Sequence, residues 1–364
     1  MKHKVNKHWL YRSNGLVKLI LPCLFLLSLT SCTQRRVTEK GFYYWRTILS
    51  ANPKEVETLQ QLQVKKLYVK FYDVVWDKER NRPDPVAKVQ FTPNALARLN
   101  EDSIEIVPTI FITNEVLQTI NENTTDELGE RINNLLTGML NNVNLLDKVK
   151  EVQFDCDWTE QTRDKYFSLL SYLKTLPFFM KAQVSATIRL YQCKYREKTG
   201  VPPVNRGVLL CYNMGNLKSS GTGNSILDAN ELQQYTGQLK EYPLPLDVAL
   251  PIFEWKVLFR NDQFYALITN LPDSILNDNN VARSDKNYRE LLMDTVLYGY
   301  PLKKGDRIRT EKSDYPEIMK AAKVLSPLMN NPNFTVTLFH LDSTLLTQYS
   351  RAELDSIYRS FDNK

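Results

Sequence analysis

Histidine is nearly missing from this chain: there are three in 364 residues, and His3 and His8 fall among the first ten, so His340 stands alone in the body of the sequence. A histidine-rich metal site is thereby excluded, and a serine–histidine–aspartate triad would have to use that one residue. Cysteine is scarce as well. Of the five, Cys23 and Cys32 belong to the N-terminal region and Cys156, Cys193 and Cys211 to the rest, with no Cys-x-x-Cys pair. Three cannot be fully bridged within one chain, so buried free thiols are expected. No internal repeat or low-complexity tract is present. The formal charge is only +6, and five basic residues (Lys2, Lys4, Lys7, Arg12, Lys18) sit at the N-terminus. The remainder is close to balanced, which argues against nucleic acid as a partner. No cofactor is expected, and any chemistry must rest on carboxylates, lysine, arginine and tyrosine.

One long apolar run exists, residues 19–29, behind that basic stretch. It is shorter than the roughly 20 residues a membrane-spanning helix needs, and with its charged lead it reads as a cleaved secretory signal. The run closes on Leu29-Thr30-Ser31-Cys32, which resembles the lipobox of bacterial lipoprotein precursors. That resemblance implies cleavage before Cys32 and diacylglycerol on its thiol. Residues 1–31 are then signal peptide, 32–40 a lipidated tether and 41–364 the folded domain. Thr33 follows the cysteine where an aspartate would favour the inner membrane, which implies an outer-membrane address in a Gram-negative cell envelope. The membrane is the expected partner through lipid on Cys32, with a weak added attraction of Arg35, Arg36 and Lys40 for anionic headgroups.

The whole chain is 43% hydrophobic and 24% charged, an ordinary globular composition. Short β-rich segments alternate with helical patterns. Strands are expected at 42–45, 66–72, 105–112, 151–157, 183–191, 207–213, 247–253 and 334–341, with helices at 55–63, 126–142, 160–173, 229–239 and 315–328. This alternation implies parallel βαβ units. Eight of them match an α/β fold, a (β/α)8 TIM barrel, with an open doubly wound sheet as the alternative. The stretch from 254 to 333 is too long for one helical connection. A rim insertion at about 256–312 is therefore expected between strands seven and eight, containing a hairpin-like Lys303-Lys304-Gly305-Asp306. A last helix, 351–361, has Ser350 as N-cap and Glu353 three residues on, a capping box.

Side chains alternate faces along a strand, and in a closed barrel one face meets the helices while the other fills the lumen. In strand four Val152, Phe154, Cys156 and Trp158 oppose Gln153, Asp155 and Asp157. In strand five Val184, Ala186, Ile188 and Leu190 oppose Gln183, Ser185, Thr187 and Arg189; in strand two Leu67, Val69 and Phe71 oppose Tyr68, Lys70 and Tyr72. The polar sets should point inward, placing Asp155 and Asp157 near Lys70 and Arg189. Carboxylates two apart on one face disfavour joint ionisation, so one should hold its proton more tightly. A charge-balanced network that only fixes register is the alternative. Barrel active sites lie at the C-terminal ends of the strands. There Trp45, Trp76, Trp158 and Trp255 follow strands one, two, four and seven, with Tyr44, Tyr72, Tyr191 and Tyr212 close by. Aromatic faces at a cleft mouth suit sugar rings; packing beneath loops is the plainer role.

The run Glu151-Val152-Gln153-Phe154-Asp155-Cys156-Asp157-Trp158-Thr159-Glu160 resembles the fourth-strand motif of chitinase-like barrels, glycoside hydrolase family eighteen. Tyr212-Asn213-Met214 at strand six, a tryptophan after a late strand and the large insertion are compatible with it. The resemblance implies a glutamate two residues after the last aspartate that protonates the glycosidic oxygen, and a preceding aspartate that orients the substrate's acetamido nucleophile. The departure is at Thr159, which holds the acid's place and cannot protonate a leaving group. Glu160 is one residue late, and with Asp157 it would also make an ordinary capping-box start for the helix at 160–173. Three outcomes stay open: a local bulge brings Glu160 into reach, Asp157 is itself the acid, or the site is catalytically dead. Segments Lys70-Phe71-Tyr72-Asp73 and Tyr212-Asn213-Met214-Gly215 also look like those of a group of lipoproteins from gut-type Gram-negative bacteria, a likeness that implies no function.

The expected site thus has Asp155, Asp157 and Glu160 as catalytic carboxylates, Trp45, Lys70, Tyr72, Trp158, Arg189, Tyr212, Asn213 and Trp255 as contacts to a glycan, and no metal. Three functions are in view: a glycoside hydrolase acting on a polysaccharide or cell-wall glycan, a non-catalytic glycan-binding barrel, or a structural or assembly lipoprotein. The anchor is testable alone. Wild type expressed in a Gram-negative host should take up labelled palmitate and sediment with membranes, and Cys32→Ala should do neither; an unlabelled wild type removes the anchor.

Overall fold

The computed structural model describes residues 1, 38–50, 52–101, 103–221, 223–269, 271–329, 331 and 334–362. The expected signal region, Cys32 and the tether up to residue 37 lie outside the described residues. Among those described, no helix is long and apolar enough to cross a membrane.

Eight parallel strands form a closed barrel: β1 (Glu39–Tyr44), β2 (Lys66–Asp77), β3 (Glu105–Ile112), β4 (Glu151–Asp155), β5 (Gln183–Arg189), β6 (Arg206–Leu210), β7 (Leu246–Pro251) and β8 (Thr335–Phe339). Each pairs with its neighbour in sequence. β1 closes the ring against both β2, Gly41 opposite Lys66, and β8, Glu39 opposite Thr335. That closure is the (β/α)8 TIM barrel and excludes the open sheet. The main helices are α1 (Pro53–Leu62), α2 (Thr125–Asn142), α3 (Arg163–Leu173), α4 (Tyr315–Leu325) and α5 (Arg351–Arg359). In α2, Leu128, Ile132, Leu136 and Leu140 recur every fourth residue and are all buried, so one stripe packs on the barrel while the polar face meets solvent.

Several elements differ from the sequence expectation, each for a local reason. β2 runs on to Asp77 and returns antiparallel as Arg82–Val86. The prolines of that segment argue against a strand, but an edge strand tolerates them where the missing N–H would face outward. The helix expected at 229–239 is only Ala229–Gln233 followed by a single turn at Leu239–Glu241, since Gly237 interrupts the pattern. α3 begins at Arg163, not at 160. Thr162 precedes it, its hydroxyl accepting from the Thr159 N–H at 2.9 Å, so the expected Asp157–Glu160 capping pair does not form.

The insertion spans 254–312 and is a five-stranded antiparallel sheet, in the order Gln263–Ile268, Glu254–Arg260, Arg307–Lys312, Tyr288–Leu291, Ala282–Asp285. It has its own core of Leu258, Ile268, Leu271, Leu276, Leu291, Leu302 and Ile308. The turn at 303–306 is real, with Gly305 at φ +84°, but it joins no hairpin. Tyr300–Leu302 pairs with Thr295–Leu297, whereas Arg307–Lys312 pairs with Glu254–Arg260.

Inside the barrel the charges pair off at the N-terminal end. Lys66 lies 3.0 Å from Glu151 and 3.4 Å from Glu39, and Arg206 lies 2.9 Å from Asp247. One layer up, the Tyr43 hydroxyl donates to Gln153 at 2.8 Å. Such pairs specify which faces turn inward, because leaving one partner alone in the lumen costs about 3–5 kcal/mol. Cys156, Cys193 and Cys211 are free and buried, as expected.

The last helix bears out its capping box: the Glu353 N–H donates to Ser350 Oγ at 3.2 Å and the Ser350 N–H to Glu353 at 2.7 Å. α5 also clamps the ring where it closes, the Tyr358 hydroxyl donating to the Gly41 carbonyl at 2.7 Å. Ser350→Ala should therefore lower unfolding free energy by about 1 kcal/mol, read by chemical denaturation; no change would mean that α5 needs no cap.

Candidate functional site

The barrel opens at the C-terminal ends of its strands into a cleft of about 830 Å³, with walls from Trp45, Phe111, Phe253, Trp255 and Phe339 and a polar floor from Lys70, Asp73, Asp155, Asp157 and Arg189. The floor follows from strand alternation. Asp155 ends β4 facing inward, and the inward Thr187 of β5 donates its hydroxyl to Asp155 Oδ1 at 2.5 Å. Asp157 lies one pleat higher, its side chain 52% exposed. Arg189, at the end of β5, grips it with Nε at 2.5 Å and Nη2 at 3.2 Å. Lys70 lies 2.9 Å from Asp73 and 5.7 Å from the centre of the Trp45 ring. Asp73 Oδ1, Arg189 Nη1 and His340 Nδ1 are buried without a protein hydrogen-bond partner, and all three residues line the cleft.

Burial pushes the Asp155 carboxyl up to about 6; Arg189 pulls it down, while Asp157 and Asp73 add to the rise. The expectation that one of the two acids holds its proton more tightly is met at Asp155, with burial the largest cause. Burial works against the charge of Arg189, but Asp157, with Asp155 and Tyr212 adding to it, holds the guanidinium above its ordinary value. Burial lowers His340 to about 4, with Arg46 adding to the effect and Asp342 opposing it, so the imidazole is neutral at pH 7.

The aromatic wall is continuous. Tyr212 meets Phe253 edge-on at 5.8 Å and Phe339 at 5.2 Å, and Phe253 meets Trp255 at 5.2 Å. Trp255 is held from the insertion: its indole N–H donates to Glu311 Oε2 at 2.8 Å. Glu311 is fully buried, with Arg309 Nη2 at 2.6 Å, and the Ser225 N–H donates to it at 3.0 Å. One carboxylate thus ties the insertion, the loop after β6 and a cleft tryptophan together. Asn213, with φ +57°, turns the chain at the cleft edge, its N–H donating to the Ile226 carbonyl at 2.9 Å.

Of the expected site residues, Asp155, Asp157, Trp45, Lys70, Arg189, Tyr212, Asn213 and Trp255 all line this cleft. Three do not. Tyr72 is buried on the helix side, its hydroxyl donating to the Ile132 carbonyl at 3.1 Å. A bulge between Lys70 and Tyr72 inserts one residue in the ladder with β3, which reverses the alternation and brings Asp73 inward in its place. Trp158 is buried, stacks on Tyr166 at 5.3 Å and donates its indole N–H to the Thr199 carbonyl at 2.8 Å; it anchors α3 to the strand end. Glu160 is exposed beyond the strand and is not among the cleft residues. Trp76 too stands outside the cleft, partly buried on the β2 hairpin. Alternation applied to strands seven and eight finds Phe253 and Phe339; His340, Asp342 and Glu254 carried no signal beyond position near a strand end. Among the described residues no group of three or more metal-ligating side chains is assembled.

No protein-family model and no curated protein matches the sequence. Solved structures do match in shape. The spore cortex-lytic enzyme SleL of Bacillus cereus superposes with a TM-score of 0.53 at 12% identity, covering 90% of this chain and 75% of that one. A chitinase from Chromobacterium violaceum gives 0.53 at 8%, covering 89% and 98%. Catalytic domain 2 of the Ostrinia furnacalis Group II chitinase gives 0.50 at 10%, covering 89% and 96%. The chain has the barrel fold of these glycoside hydrolases.

Because Asp155 in the folded chain sits above its ordinary 3.8, the native state binds its proton more tightly than the unfolded chain does. This group's contribution to stability falls as pH rises from about 4 to about 6 and stays lost above that. Asp155→Asn, a mimic of the protonated form, should exceed wild type in stability by on the order of 1–3 kcal/mol at about pH 7.5. The gain should vanish near about pH 3.5. Denaturant titrations at the two pH values check this, and an equal difference at both would exclude a raised Asp155.

Proposed function

We propose that this chain is a lipid-anchored glycan-binding barrel of the bacterial cell envelope, with a cleft that holds sugars but lacks the acid its fourth-strand motif would need. One observation carries this reading. The position two residues after Asp157 is Thr159, whose backbone and hydroxyl are turned to Thr162, while Glu160 is exposed outside the cleft. The rest of the cleft is suited to sugars. Indole and phenyl faces pack on the apolar faces of pyranose rings, and Asp155, Asp157, Arg189 and Asn213 offer acceptors and donors to hydroxyl or acetamido groups. The unpartnered Arg189 Nη1 and Asp73 Oδ1 favour a polar ligand, since buried polar atoms in native proteins are normally satisfied. The fold shared with a chitinase and a cortex-lytic enzyme makes chitin oligosaccharides and peptidoglycan glycan strands the first ligands to try.

A second reading has one observation behind it. Asp155, a buried cleft acid with its carboxyl pushed up to about 6, is raised toward neutral pH as a proton donor should be, and slow hydrolysis through it is the alternative. Both readings are tested by calorimetry and chromogenic chito-oligosaccharides on wild type, Asp155→Asn and Glu160→Gln. Binding without turnover in all three is the expected result. Turnover lost only in Asp155→Asn moves the assignment to hydrolase, and turnover lost in Glu160→Gln overturns the structural reading of Glu160. If no glycan binds, the cleft is not a sugar site.

A further inference from the structure

Beyond the Asp157–Arg189 pair the surface drops into a second groove of about 450 Å³, with Tyr191, Met214 and Tyr235 on its sides. It shares Asp157, Arg189, Tyr212 and Asn213 with the main cleft, so the ion pair is a ridge between two halves of one trough.

The outer wall is aromatic, exposed and rigidly held. Tyr191 is 54% exposed and contacts Tyr195 at 4.9 Å. Lys194 sits between them and the far side, 5.4 Å from the Tyr195 ring and 4.8 Å from the Tyr235 ring. The short helix that carries Tyr191, Leu190–Lys194, is fixed by the buried Gln192. The Gln192 side chain accepts from the Arg189 N–H at 2.7 Å and donates to the Trp158 carbonyl at 2.9 Å, and its own carbonyl accepts from Thr199 Oγ1 at 2.9 Å. A core role would bury Tyr191. An exposed ring on a fixed backbone instead gives contact area at little entropic cost on binding.

We infer that the ligand is a linear oligosaccharide that crosses the Asp157–Arg189 ridge, with sugars in the outer groove stacked on Tyr191. This rests on the glycan-binding reading and sharpens it: the ligand class is a polymer segment, and a mono- or disaccharide fills only the inner half. The groove meets the main cleft at the residues they share and is lined by aromatic and apolar side chains together with Asp157, Thr159, Arg189, Gln192 and Asn213, the mixture that sugar rings need.

The test is a calorimetric length series, chitin di- to hexasaccharide and peptidoglycan glycan strands of matching lengths, on the full chain. Affinity should climb with length up to the longest oligomers. Tyr191→Ala should cost about tenfold in affinity for a hexasaccharide, near 1.4 kcal/mol, and less than twofold for a disaccharide, with an unchanged circular-dichroism melt. Tyr191→Trp should restore the long-chain affinity, which a merely structural tyrosine would not require. Equal affinity for short and long oligomers, with Tyr191→Ala neutral, overturns the outer groove and leaves the inner cleft as proposed. Failure of every oligomer to bind overturns both.

Discussion

A ring of eight strands has to take every second side chain of each strand into its interior, and polar groups placed there must find partners or reach water. The rest of this molecule follows from how that demand is met along the barrel axis. At the N-terminal end Lys66, Glu151, Glu39, Arg206 and Asp247 pair across neighbouring and more distant strands. At the other end the barrel opens into the cleft and the partners thin out. Asp155 has a threonine hydroxyl, Asp157 shares one guanidinium, and Lys70 reaches Asp73. The lumen network therefore passes gradually into a cleft, and the inward polar positions that pair with one another at the bottom line an open cavity at the top.

Binding and catalysis are separable in such a cleft. Aromatic walls and a polar floor need only to be held still, and here they are: Trp255 by Glu311, Tyr212 by its neighbours Phe253 and Phe339, Arg189 by Asp157. Acid catalysis needs one more thing, a carboxyl that carries a proton at the leaving oxygen. At position 159, where the motif that the fourth strand resembles would carry such a group, this chain has threonine, and Thr159 is not among the residues that line the main cleft. The turn that Thr159 and Thr162 form also sends Glu160 outward, so the nearest substitute in sequence is far from being one in space.

The insertion takes part in the cleft as well as elaborating the rim. Its sheet supplies Glu311 and Arg309, and these reach the loop after β6: the Ser225 N–H donates to Glu311, and Arg309 donates to the Ser219 carbonyl at 2.9 Å. A fully buried carboxylate with this many donors is strongly held, and it spreads the position of one tryptophan over three segments distant in the chain.

Much of this was legible beforehand. Strand–helix alternation implied eight βα units, and alternation within strands four and five put Asp155, Asp157, Thr187 and Arg189 on one face, because side-chain period depends only on extended backbone geometry. The Ser350–Glu353 capping box and the three unbridged cysteines were equally local facts. Tyr72, Trp158 and Glu160 lie outside the main cleft, where local rules stop, although Trp158 borders the outer groove. A bulge after Lys70 reversed the alternation, a tryptophan next to the cleft found a better partner in Tyr166, and a threonine turn delayed α3 by three residues. Each depends on which neighbouring strand, helix or loop offers a hydrogen bond or a packing surface, and that is a property of the closed barrel rather than of the residues taken one after another. The chain alone determined the repeat, the inward acids and the threonine at position 159; only the tertiary structure decided which aromatic side chains face the cleft, because burial is settled between segments far apart in sequence.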